Sequence, residues 1–285
     1  MKKLSFAALT ISALVLVFAA CGEKKFRGYK QTETGLYYKI TTKNDKGKMP
    51  QKGDFLTFTV SFDADFDTTI VMTEQEMKSP LESSRFQGDL FEAYSLLREG
   101  EEGEFYIKAD SFMMYFMNVM PPPTVKPEDV LHFKIKMKEV KPVAQMVEEE
   151  KASLADYLAE QKVDVEPTES GLYYIETLKG KGAKAESGKE VTVHYTGKFL
   201  DGTVFDSSIE HNKPMEFVLG VQPMIPGFTE GVLLMNEGGK ATFILPSAIA
   251  FGDGGGRFPP HTPLVFEVEL IKVADAKPAA EMSLE

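Results

Sequence analysis

The chain has 285 residues, 43% hydrophobic and 26% charged, which leaves room for two ordinary domains, each able to bury its own core. Acidic side chains outnumber basic ones 43 to 32, for a formal charge of −11, and no Arg-rich arm or zinc knuckle offsets that balance, so the composition argues against nucleic-acid binding. With one Cys, the chain has no internal disulfide framework.

Lys2 and Lys3 precede an apolar stretch over residues 4–20 that ends in Phe18-Ala19-Ala20-Cys21. This start resembles a bacterial lipoprotein signal, in which small residues fit the signal peptidase and Cys21 receives the lipid. A buried core thiol is the bland alternative, and a spanning helix is disfavoured because the stretch is short and holds Ser and Thr. The expectation is a signal peptide over 1–21 whose lipidated Cys21 anchors the chain to a membrane of the cell envelope, with the body in the periplasm. By resemblance to known sorting patterns, Gly22 rather than Asp after the Cys points to the outer membrane. Residues 22–30 read as a polar tether.

From there the chain repeats itself. Residues 32–38 (TETGLYY) return as 168–174 (TESGLYY). Leu56, Phe58 and Val60 alternate with Thr57 and Thr59, as Val191, Val193 and Tyr195 alternate with Thr192 and His194, the period-2 mark of half-buried strands. Leu90, Tyr94 and Leu97 correspond to Phe228, Val232 and Met235, each trio one face of a short helix followed by a Glu-Gly turn. Leu131, Phe133, Ile135 and Met137 mirror Leu264, Phe266, Val268 and Leu270. The fold class is therefore α+β: two copies of one unit, over 31–141 and 167–274, each a curved antiparallel sheet wrapped over one helix. Between them, 142–166 reads as a helical linker. Its helix, over 144–162, has a stripe of Val147, Leu154, Tyr157 and Leu158, with Glu148, Glu149 and Glu150 enriching the first turns. A spacer docked on one domain is favoured over a weak dimer formed through this helix. Residues 275–285 read as a flexible tail.

The second copy carries VHYTGKFLDGTVFDSS, KPMEFVLG, MIPGFTEGVLLM, AFGDGG and PPHTPLVFEVEL in that order. It is similar over about 80 residues to the FKBP-type peptidyl-prolyl cis-trans isomerases, far more specific than an isolated motif. The resemblance implies a pocket lined by Tyr195, Phe205, Asp206, Met215, Phe217, Met224, Ile225, Phe228, Phe251 and Phe266. It makes Phe228 the floor beneath a Pro ring and Tyr195, Phe205 and Phe266 the walls. The backbone N–H of Ile225 would donate to a substrate carbonyl, and Asp206 would stand at the rim, held by hydrogen bonds. Catalysis is assigned to Asp206, Tyr195, Phe228 and Phe251, the other positions binding substrate. The sequence departs from the family where the floor is usually Trp and where Phe251 replaces a Tyr. Met215 and Met224 likewise stand where Phe and Val are usual.

Each residue also has a plainer reading. Phe217 and Phe266 read as core first and pocket second, and Asp206 also suits a turn beside Ser207 and Ser208. The glycines at 252 and 254–256 are followed by no Lys-Ser/Thr, which argues against a phosphate loop. The four His show no ligand spacing, and neither a metal nor a cofactor is required.

The first copy differs at the matching positions, with Val60 for Tyr195 and Leu90 for Phe228. Asp63, Asp65 and Asp67 alternate there without the Gly and Glu of a calcium loop, so a solvated face is expected. Phe112 to Met117 and Met120 form an apolar cluster, either a client surface or a buried wall. This copy is expected to be noncatalytic. The whole reads as an envelope isomerase acting on Pro-containing polypeptide clients. A noncatalytic chaperone or scaffold is the rival reading.

Overall fold

Apolar–polar alternation builds two separate antiparallel sheets, one in each of two compact units, Met1–Pro142 and Val143–Glu285. The computed structural model describes residues 24–254 and 258–276, so the expected signal peptide and Cys21 lie outside the described residues.

The first unit comprises β1 (Lys30–Gln31), β2 (Tyr37–Thr42), β3 (Phe55–Ala64), β4 (Val71–Pro80), α1 (Leu90–Ser95), β5 (Glu102–Lys108), α2 (Ala109–Tyr115) and β6 (Val130–Lys141). Its sheet runs β1-β2-β5-β6-β3-β4. Leu56, Phe58 and Val60 from β3 and Phe133, Ile135 and Met137 from β6 share a core with Leu90, Ala93 and Tyr94 of α1. The helix starts at the fully buried Asp89, whose carboxylate accepts the N–H groups of Glu92 at 3.0 Å and Arg85 at 2.5 Å.

Two expectations for this unit change. Of the tether expected over 22–30, the described residues 24–30 are not a bare tether. Phe26 stacks on Tyr37 at 4.1 Å, Lys25 pairs with Asp65 at 2.7 Å, and the Tyr29 hydroxyl donates to Glu104. Aromatic rings in that segment find a tyrosine face on the sheet, which the polar composition concealed. The methionine cluster is split by a helix not foreseen from periodicity. Phe112 and Met113 of α2 are buried, whereas Met114, Met117 and Met120 are 44%, 51% and 82% exposed. In the acidic run, Asp67 closes a turn by accepting from the Thr69 N–H and hydroxyl at 2.9 and 2.6 Å.

The second unit comprises α3 (Val143–Glu160), β7 (Tyr173–Leu178), β8 (Lys189–Phe199), β9 (Val204–Ser207), β10 (Met215–Val218), α4 (Pro226–Leu234), β11 (Lys240–Leu245) and β12 (Leu264–Asp275). Its sheet runs β10-β8-β12-β11-β7, with β9 also on β8. The helix α4 opens with Pro at its first position and buries Phe228, Gly231 and Val232 against the sheet. Gly231 makes that approach possible, since a Cβ there would lie 2.5 Å from the Phe243 ring.

The sequence repeat is also a repeat of hydrogen bonds. In each unit a Thr hydroxyl accepts the N–H of the Leu four residues on, Thr32 from Leu36 and Thr168 from Leu172, at 3.1 and 3.2 Å. Gly35 and Gly171 turn the chain between them with φ of 95° and 96°, which favours Gly. The turn is then tied to the helix, Thr34 donating to Glu92 of α1 and Ser170 to Glu230 of α4, each at 2.6 Å.

The units differ at one edge. In the first, β4 pairs with β3 along its length with a single irregularity. In the second, the partner of β8 is broken: Ser207 lies opposite Thr196, and the chain rejoins β8 only where Met215 lies opposite Val193. Residues 208–214 leave the sheet in between.

Gly231→Ala is expected to destabilise the second unit by about 1–3 kcal/mol through overpacking against Phe243. Denaturant unfolding followed in each unit separately checks this. An unshifted midpoint would mean that α4 yields to the added methyl.

Candidate active site

The broken edge of β8 opens a cavity of about 180 Å³ lined by Tyr195, Phe205, Asp206, Met215, Met224, Ile225, Phe228, Phe251, Phe258 and Phe266. Its floor is Phe228, 2% exposed, set two residues into α4 and met edge-on by Tyr195, Phe243 and Phe266 with centroids 5.2–6.0 Å apart. Phe205 closes one side against Phe266 at 5.7 Å. It fits because Gly197 lies behind it: a Cβ there would stand 2.6 Å from the Phe205 ring. At the mouth, Phe251 is 38% exposed and stacks on Phe258 at 4.0 Å.

Asp206 is the one charged side chain on this lining, and its carboxylate is tied down twice. The Tyr195 hydroxyl donates to Oδ2 at 2.7 Å, and His211 Nε2 lies 3.2 Å from Oδ1. The side chain is 33% exposed, so it stands at the rim and is not a wholly buried carboxylate. Partial burial pushes its pKa up, but donation from Tyr195, His211 and the Ser207 N–H outweighs this and holds the carboxyl below the usual range. Asp206 is therefore ionised at neutral pH. The neighbouring hydroxyls carry the turn instead: Ser208 Oγ accepts the Tyr195 N–H at 2.8 Å, and Ser207 Oγ meets Thr196 Oγ at 3.1 Å. Ile225, the residue before α4, directs its carbonyl to the Thr229 N–H, and among the described residues no group accepts from its own N–H.

The structure brings nine of the residues singled out in the sequence to one cavity and leaves out Phe217. That ring is 4% exposed and packs 6.3 Å from Phe228, behind the floor. The excursion of 208–214 rejoins β8 at Met215, so Phe217, two residues further along the same face, passes beyond the opening. Phe258 and His211 were missed. The former is an aromatic inside a Gly- and Pro-rich loop, a signal that was available. His211 reaches Asp206 only because the excursion doubles back, which spacing alone does not reveal.

Comparison with known proteins converges on this region. Residues 181–271 match the family described as FKBP-type peptidyl-prolyl cis-trans isomerase. The chain is 47% identical over 105 residues to an FK506-binding protein of Neisseria meningitidis, covering 36% of this chain and 96% of that protein. The chain belongs to the FKBP-type isomerase family. It is also 47% identical over 129 residues to the FKBP-type isomerase FkpA of Aeromonas hydrophila, covering 44% of this chain and 47% of that protein, so it matches about half of that relative's length. A crystal structure of FkpA from Escherichia coli aligns with a TM-score of 0.41 and 32% identity over 47% of this chain and 65% of that one. Within this FKBP-type chain, the family match spans the cavity-bearing unit from just before β8 to β12.

Because hydrogen bonding depresses the Asp206 pKa in the folded state, its stabilising contribution is present above the unfolded value of about 3.9 and is lost as pH falls through the folded value. A carboxyl-carbon NMR titration of Asp206 should show a midpoint below that unfolded value, moving upward in Tyr195→Phe. A midpoint unmoved by that substitution would remove Tyr195 as the holder of the charge.

Proposed function

We propose that the second unit catalyses cis-trans exchange at Xaa-Pro bonds in folding cell-envelope proteins. The observation that carries this reading is an aromatic cavity, floored by Phe228, whose single charge is an Asp206 already committed to Tyr195 and His211.

The chemistry needs little else. Amide resonance sets a barrier of about 18–20 kcal/mol, and the twisted amide lacks the charge separation of the planar one. A dry apolar cup therefore favours the twisted form over the planar form. The Pro ring rests on Phe228 between Tyr195, Phe205 and Phe266. The Ile225 N–H donates to a backbone carbonyl of the client and fixes its direction. Asp206 stands beside the swinging carbonyl, and its two ties stop it from collapsing onto the substrate. Phe251 offers an apolar edge and no hydroxyl, so one neutral hydrogen bond of the usual family site is missing, worth about three- to tenfold in rate. Uncatalysed exchange takes about 10–100 s, slow enough to limit folding.

Both units are read as FKBP-like, joined through α3. Their common strand order and doubled Thr-Gly turn support this. The first unit is read as noncatalytic, a holder of clients. The exposed Met114, Met117 and Met120 favour that role, since flexible thioethers adapt to varied apolar segments. The lipoprotein-like start supports a lipid anchor at Cys21 and work on the periplasmic side of the outer membrane.

Exchange NMR of an Xaa-Pro peptide with the full chain should show accelerated isomerisation. Phe228→Leu, which keeps a smaller apolar floor, should lower kcat/KM about tenfold, the equivalent of one to two buried methylenes. A folded wild-type chain with no acceleration would leave a client-binding module without catalysis. Suppression of client aggregation by the full chain, weakened by Met117→Ser with Met120→Ser, tests the holding role. Unchanged suppression in that variant would remove the methionine patch from it.

A further inference from the structure

The helix α3 presents Val143, Met146, Val147, Leu154, Tyr157 and Leu158 as buried or half-buried side chains at the 3.6-residue spacing of a docked face. Glu150 falls inside that stripe, one turn after Met146 and one before Leu154, and only 11% of its side chain is exposed. Glu148 and Glu149 beside it are exposed. A carboxylate in an apolar stripe is costly unless its oxygens are met by donors. Here they are. Oε1 accepts the Ser247 N–H at 2.6 Å, Oε2 accepts the Ser247 hydroxyl at 2.7 Å, and His261 Nδ1 lies 3.4 Å from Oε2.

Ser247 and His261 are the two ends of the loop that carries Phe251 and Phe258. The loop is cross-tied just inside them: the Ser247 carbonyl accepts the Gly252 N–H at 2.8 Å, and the Gly252 carbonyl accepts the His261 N–H at 3.0 Å. One carboxylate thus bonds the first stem through Ser247 and lies 3.4 Å from His261 on the second, on either side of the segment whose stacked rings form the cavity mouth. Charge-assisted bonds such as the two from Ser247 are short and directional, suited to fixing a loop stem.

We propose that Glu150 is a positioning residue for the cavity. Through Ser247 and His261 it sets the placement of Phe251 and Phe258, and hence how tightly a Pro-containing segment is gripped. This rests on the isomerase reading above. It makes α3 part of the working second unit, so a fragment that begins at 167 lacks the clamp.

The test uses the full chain with Glu150→Ala and Glu150→Gln. In the Ala variant, KM for an Xaa-Pro peptide should rise about three- to tenfold, with kcat within about twofold of wild type. Amide exchange at Gly252 and His261 should quicken while α4 and β11 keep wild-type protection. The Gln variant, which still offers an acceptor to the Ser247 N–H, should recover most of both effects. Ser247→Ala, which removes one donor and leaves α3 intact, should raise KM less than Glu150→Ala. Wild-type KM together with wild-type exchange at Gly252 and His261 in a folded Glu150→Ala chain would overturn the proposal. So would loss of protection spread evenly over the unit, the mark of a merely structural role. If the wild-type chain does not catalyse, the isomerase reading fails on its own, and the exchange measurement still decides whether the clamp exists.

Discussion

The contact between the Phe205 ring and the backbone of Gly197 sets the geometry of the second unit's cavity. A side chain at 197 would meet Phe205 at 2.6 Å and Phe266 at 3.0 Å. Its absence lets Phe205 come close against β8, where β9 pairs with Asp206 directly opposite Gly197. In the first unit the same register holds Phe62, opposite Phe133 as Gly197 is opposite Phe266. Its ring fills the space, 4.9 Å from Phe133 and 5.6 Å from Phe112. At this position the second unit has no side chain beside its cavity, and the first has a ring packed on its core.

The edge strand follows the same division. A continuous β4 gives the first unit an unbroken border, whereas the break between β9 and β10 gives the second a mouth. Breaking a strand leaves backbone groups to be satisfied, and Ser208 answers this by bonding both the N–H and the carbonyl of Tyr195. The serines after Asp206 therefore hold the turn, while Asp206 itself lines the cavity.

The sequence was legible wherever period and partner coincide. Val191, Val193 and Tyr195 on one strand and Phe266, Val268 and Leu270 on another could be assigned to faces because alternation leaves one choice. The helix trio ending at Met235 was equally readable, as was the family pattern that gathers nine residues at the cavity. Elements fixed by contacts between distant segments were not. The docking of Phe26 on Tyr37 and the seven-residue α2 carry no periodic signature of their own. Glu150 is hard to read for a clear reason: acidic residues near a helix start normally answer the helix dipole, and only its place in the apolar stripe marks it as docked. Phe217 keeps its core reading and loses its pocket one, because the length of the 208–214 excursion, not strand parity, decides which residue of β10 faces the opening.

Near-identical turns in one chain carry a hazard of mistaken partnership while it folds. The segment leading into β2 matches the one leading into β7, so either strand could be offered to β5 or β11, the failure typical of repeated domains. The residue just past the shared stretch discriminates. Lys39 on β2 lies opposite Glu104 on β5, whereas β7 has Ile175 at that place, facing Thr242. A swapped arrangement would set isoleucine against a carboxylate and strand a lysine beside threonine, forfeiting an opposite-charge cross-strand pair. The twins thus begin to differ in what they can pair with at Lys39, immediately beyond the point where their sequences part, and Ile40, where β7 has Glu176, continues the difference.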